Sequence, residues 1–168
     1  MNSWETFTRR IIIDRPIGDI FQLWTTGKGL TTWFLKTADY TTAENNKRPD
    51  DENYQVGDEY LWEWHNWDGS SKGKVLAQNG EDHLKFEFAD GVVDVKITKY
   101  KDGRSLVTLV QSNIPTDDES RMNIFCGCSC GWSFWLTNLK AYMEHGILLN
   151  EKNADLRGEF SGFEVVNT

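Results

Sequence analysis

Long apolar runs are missing from this 168-residue chain. No stretch approaches the roughly 18 apolar residues that a membrane-spanning helix needs, and the opening Met1-Asn2-Ser3-Trp4-Glu5-Thr6 holds no apolar segment of a secretory leader. A cytoplasmic location is the expectation. Cationic side chains are also scarce: 18 Lys and Arg stand against 26 Asp and Glu, for a net charge of -8. The bases are scattered, so no basic patch is available to displace counterions from a phosphate backbone, which excludes nucleic acid as the expected partner.

Cysteine is limited to Cys126, Cys128 and Cys130, an odd number at a spacing unlike a disulfide framework. On a helix Cys126 and Cys130 share a face while Cys128 points elsewhere, so the three cannot surround one metal ion. They read as small structural thiols, and neither metal nor cofactor is expected. Catalytic signatures are missing too. There is no Gly-x-Ser-x-Gly elbow, no phosphate-binding loop and no His-Glu-x-x-His helix. Of the three histidines, His65 falls on the face opposite Trp62 and Trp64, His83 lies beside a turn and His145 at a helix end, so all three read as surface residues.

What the chain has in quantity is aromatic rings, with eight Trp and nine Phe. They either fill the core or line a cavity in it. Residues 7 to 14 are rich in β-branched side chains and read as a first strand ending at a cap-like Asp14. Pro16 then suits a first helical position, and Ile17, Ile20, Phe21 and Trp24 recur at the spacing of one buried helix face. Residues 29 to 35 form a second short helix with Leu30, Trp33 and Phe34 as its apolar side, and the polar residues 36 to 53 read as loop. From there Tyr60, Trp62 and Trp64 alternate with polar neighbours, as do Leu84, Phe86 and Phe88, and then Val93, Val95 and Ile97. Asp68-Gly69, Asn79-Gly80, Asp90-Gly91 and Asp102-Gly103 mark the turns between these strands, and a last strand covers residues 105 to 112. There Gln111 shares the inward face with Leu109.

An antiparallel meander of this kind has one apolar face that needs a cover. A helix over residues 117 to 144 supplies it. Thr116 or Asp117 caps it, Gly146 ends it, and Phe125, Ser129, Trp132, Leu136, Leu139 and Met143 form its stripe. Gly127 and Gly131 inside it mark close approach to the sheet or room for something else. The class is α+β, with about six strands, one domain over 1-150 and a partly ordered tail over 151-168.

Arg10-Ile-Ile-Ile-Asp-Arg-Pro-Ile-Gly-Asp-Ile-Phe-Gln-Leu-Trp24, Leu30-Thr-Thr-Trp-Phe34, Val56-Gly-Asp-Glu-Tyr60 and Gly131-Trp132 with Leu136 and Leu139 run in an order that resembles the START-like superfamily. Within it the chain is similar to the branch related to the activator of the heat-shock chaperone ATPase, over residues 7 to about 145. The resemblance implies a helix-grip fold, a curved sheet around a long C-terminal helix with a cavity between them. Members are described as lipid carriers, hormone receptors, polyketide cyclases and chaperone partners, so fold alone does not choose an activity. The leading expectation is non-catalytic binding of a small apolar or aromatic ligand. Trp33, Phe34, Tyr60, Trp62, Trp64, Phe86 and Phe88 are the expected walls on one side, with Val95, Leu109, Gln111, Phe125, Trp132 and Leu136 on the other. A protein-interaction domain co-regulating a chaperone ATPase or acting in stress response is the alternative, and a cyclase-like enzyme a weaker one.

Overall fold

The computed structural model describes residues 4 to 158 and 165 to 168. β1 (Phe7–Ile13) leads through Pro16, whose fixed φ suits a helix start, into α1 (Ile17–Thr25). Asp14 does not cap that helix; its backbone N–H instead donates to Glu144 Oε1 at 2.7 Å. α2 begins two residues earlier than the sequence indicates, at Gly27–Trp33, because Thr26 Oγ1 accepts from the Gly29 N–H and nucleates the turn. A side chain at Gly29 would meet Gln22 O at 2.7 Å, so α1 and α2 pack backbone to backbone there.

Seven strands follow the order β1-β7-β6-β5-β4-β3-β2, every neighbour pair antiparallel. They are β2 (Thr37–Thr41), β3 (Glu59–Glu63), β4 (Ser70–Gln78), β5 (His83–Phe88), β6 (Gly91–Lys99) and β7 (Ser105–Ser112), besides β1. β2 is one strand more than expected, inside the segment read as loop. It is a five-residue edge strand whose only buried side chains are Ala38 and Tyr40, too short an alternation to stand out among polar neighbours. The rest of that segment is tied down by Arg48, whose Nη2 lies 3.0 Å from Asp58 Oδ1 while its Nε meets Oδ2.

The β5–β6 turn falls one residue earlier than Asp90-Gly91. Phe88 pairs with Gly91, leaving Ala89 (φ 47°) and Asp90 (φ 56°) as the two-residue loop. Gly91 belongs to the strand because a Cβ there would sit 2.7 Å from Ser112 O. Left-handed backbone at both loop positions favours Asn-Gly. The double variant Ala89→Asn with Asp90→Gly should therefore raise stability by roughly 0.5 to 1 kcal/mol in thermal melts. An unchanged or lowered midpoint would show that the loop carries no such strain.

The covering helix enters through α3 (Asp118–Ser120), capped by Asp117, whose carboxylate accepts from the Ser120 N–H at 2.9 Å. A π-helical stretch over Arg121–Cys126 then leads into α4 (Gly127–His145), which Gly146 ends at φ 68°. The wider π turn rotates the face that α4 presents, a device common near functional sites. Ser129, Trp132, Leu136 and Leu139 are buried as their spacing predicts, joined by Trp135 and Asn138. Phe125 and Met143 are only half-buried.

Between sheet and helix the interior is filled by rings. Trp24 lies 5.4 Å from Trp33 and 6.3 Å from Trp135, and Trp62 lies 5.3 Å from Phe86 and 5.9 Å from Trp135. Offset and edge contacts of this kind add to the burial of each ring. Beyond α4, Leu156 is buried and Asn66 Nδ2 donates to Ala154 O, while residues 159 to 164 of the expected tail lie outside the described residues.

Candidate functional site

Two glycines one turn apart on α4, Gly127 and Gly131, leave a bare strip of helix backbone facing the end of β5. A Cβ added at Gly131 would meet nothing within 4 Å among the described residues. On one side of the strip is a space of about 190 Å³ walled by Phe88, Asn123, Cys128, Trp132 and Trp135. On the other is a space of about 330 Å³, walled by Trp67, Cys130, Phe134 and the chain's last residues Val165, Val166 and Thr168. Both share Gly127 and Gly131.

Trp132 is fixed from behind. Its Nε1 donates to Gln111 Oε1 at 2.8 Å, and Gln111, wholly buried on β7, donates in turn to Phe88 O at 3.4 Å. The ring is thereby held against Phe88 at 5.0 Å and Trp135 at 4.7 Å. Burial pushes the Cys128 thiol up to about 11, against a smaller opposing effect from Gln111, so it stays protonated near neutral pH. The π-helical stretch forms one end of the site. Phe125 there packs edge-on to Phe7 at 5.4 Å and to Trp4 at 4.9 Å, and the Arg121 guanidinium sits 4.0 Å from the Trp4 ring centre.

Of the residues expected to wall a cavity, Phe88 and Trp132 lie at this space. Phe125 stands at one end of it, Gln111 holds Trp132 from behind, and the others lie away from it. Trp33 donates to Leu23 O at 3.1 Å, Trp62 to the Tyr40 hydroxyl at 3.2 Å and Tyr60 to Glu87 O at 2.7 Å, all in the packed interior. Phe34 lies 4.1 Å from Trp135 on the α2 side, and Phe86, Val95, Leu109 and Leu136 are buried. Trp64 is half-buried, 6.4 Å from Trp135. The inward set Tyr60, Trp62, Leu84 and Phe86 is buried, so the register follows the alternation in the sequence. Trp135, which sequence reasoning missed, has its signal at the i+3 spacing from Trp132 and i+4 from Gly131. His65 differs from its surface expectation: its Nε2 is sealed without a partner among the described residues, and burial, ahead of Lys152 and Lys36, lowers its pKa. Among the described residues no group of three His, Cys, Asp or Glu could hold a metal ion, and no helix is long and apolar enough to cross a membrane.

A curved antiparallel sheet closed by a long C-terminal helix, with two short helices after the first strand, is the START-like helix-grip fold. Solved structures share it. A protein from Staphylococcus saprophyticus superposes with a TM-score of 0.67 at 15% identity, covering 90% of this chain and 98% of that one. The Aha1 dimer from Colwellia psychrerythraea gives 0.63 at 21%, covering 84% and 97%. DynU16, from the dynemicin biosynthetic locus, gives 0.64 at 14%, covering 84% of this chain and 48% of that one. No curated protein matches the sequence. The family of activator of Hsp90 ATPase homolog 1-like proteins matches residues 14–144, most of the domain, and the chain belongs to that family.

Proposed function

We propose that this chain is a non-catalytic binding protein for a small apolar or aromatic molecule, seated along the bare glycine strip of α4 beside Trp132 and Trp135. The observation that carries this reading is the open space at Gly131, where a helix covered by large rings has no side chain and, among the described residues, a Cβ would meet no neighbour within 4 Å. The inner space alone, at about 190 Å³, suits a molecule of one or two rings. The separate space across the strip, at about 330 Å³, is itself at the lower end of the roughly 300 to 1,000 Å³ usual for ligand sites. No Asp, Glu or His side chain lines either space among the described residues, and the Cys128 thiol is held neutral, which favours binding over turnover.

The test fills the hollow. Gly131→Ala should stabilise the fold by about 1 kcal/mol, because α4 gains helix propensity without a clash. Gly131→Leu should fold normally and weaken, by about tenfold or more, any fatty acid, sterol or aromatic polyketide that quenches tryptophan emission in the wild type at micromolar concentration. If no compound saturates, or if Gly131→Leu leaves the affinity unchanged, the reading fails.

A further inference from the structure

The far end of α4 carries a second concavity that plays no part in ligand binding at Gly131. It is an open groove of about 700 Å³ between α1, α2 and the last turn of α4, with Leu23 and Met143 among its apolar lining. Arg15 and Asp19 come from the entry and first turn of α1, and Lys28 and Asp51 are brought near each other where the Lys28 N–H donates to Asp50 O at 2.7 Å. None of these four charges forms an ion pair with another side chain among the described residues.

Gly146, at the groove's edge, leads straight into Ile147, Leu148 and Leu149, which are 54%, 37% and 40% exposed. Three consecutive exposed apolar residues are unfavourable in water and are kept where they serve a contact. This strip is not loose. Asn138, wholly buried in α4, accepts from the Leu149 N–H at 2.6 Å and donates to Trp33 O at 2.6 Å, while Asn150 Nδ2 donates to Phe34 O at 3.2 Å. A buried amide in mid-helix is costly unless every polar atom is met, and here it is met by holding the strip's backbone in place. The strip is therefore presented rigidly, which lowers the ordering cost of docking.

We infer that this groove and strip form a docking surface for an amphipathic helical segment of another protein. An open groove leaves one side of its occupant in water, whereas small-molecule sites bury about 70 to 90% of their ligand, so a helix with a polar outer face suits it better. The walls are themselves helices, against which a third helix packs by interlocking side-chain ridges. Charge sets the rest of the description. Each of these two pairs offers one cation and one carboxylate, so the complementary helix bears both acids and bases beside its apolar stripe. The chain's net charge of -8 disfavours an acidic occupant, which makes that helix neutral to basic overall.

The probe is a synthetic peptide of about 18 residues, roughly five helical turns, with Leu at helical spacing flanked by Lys and Glu and a small positive net charge. Titrated into 15N-labelled protein, it should shift the amides of Leu23, Lys28, Met143 and residues 147 to 149 to saturation, and a scrambled peptide should not. Ile147→Ser with Leu148→Ser, and separately Lys28→Glu, should each weaken binding by about tenfold with an unchanged melting temperature, since all three side chains are exposed. Equal shifts from the scrambled peptide, or none, overturn the inference. So do the same shifts on concentrating the protein alone, which would make a second copy the occupant, or shifts confined to Gly131 and Trp132.

Discussion

Trp132→Ala is expected to lower the unfolding free energy by about 3 to 5 kcal/mol, the range for truncating a buried aromatic. The ring is 2% exposed and joins the sheet to α4, with Phe86 at 6.3 Å, Phe88 at 5.0 Å, Trp24 at 6.2 Å and Trp135 at 4.7 Å. Its loss also leaves Gln111 Oε1 without its indole donor in a wholly buried position. The space beside it admits water after truncation, which holds the cost within that range. Trp132→Phe keeps one ring against the same neighbours but removes the hydrogen bond and the second ring of the indole, so its loss should be smaller, about 2 to 3 kcal/mol. Denaturant melts measure both. A loss below about 1 kcal/mol for the alanine variant would mean that Trp132 does not join the two layers.

Asp58→Ala should cost about 3 kcal/mol, at the lower end of the range for removing one partner of a buried ion pair. The Asp58 carboxylate is 4% exposed and takes two contacts from Arg48, itself 15% exposed, plus the Gln55 N–H at 2.8 Å. Removing it strands a mostly buried guanidinium. Glu52, 3.6 Å from Arg48 and in water, offers a weak substitute, which keeps the loss from the upper end. Replacing both, as Arg48→Met with Asp58→Leu, should recover most of the stability, because the desolvation of two charges is then avoided. If the single and double variants melt alike, the pair does not hold the segment between β2 and β3.

The sheet was legible because its inward faces alternate cleanly: Tyr60 and Trp62, Leu84 and Phe86, and Val93, Val95 and Ile97 all point to the core, as period two requires. β2 was not, since Ala38 and Tyr40 alone alternate with polar residues at a sheet edge. Gly91 misled the turn assignment because glycine serves close approach as well as left-handed backbone, and the contact with Ser112 O is visible only in the folded sheet. On α4 the 3.6-residue stripe found Trp132, Leu136 and Leu139. It passed over Asn138 because a polar side chain scores as surface until its buried partners are known. The site was legible in part. Gly131 and Trp132 stand out in the sequence, but ring content cannot tell a wall from a filled interior. Trp33, Trp62 and Phe86 proved to be packed among other rings, while the hollow sits nearer the start of α4.

The most direct measurement is a 15N–1H titration with a one- or two-ring aromatic probe such as 2-naphthol, following the Trp132 and Trp135 indole N–H signals and the Gly131 amide. Binding along the glycine strip predicts that these three move together and saturate at micromolar probe, and that the Trp33 and Trp62 indoles, bonded in the packed interior, stay in place. No movement at Gly131 and Trp132, or saturable movement only at residues remote from α4, would contradict it.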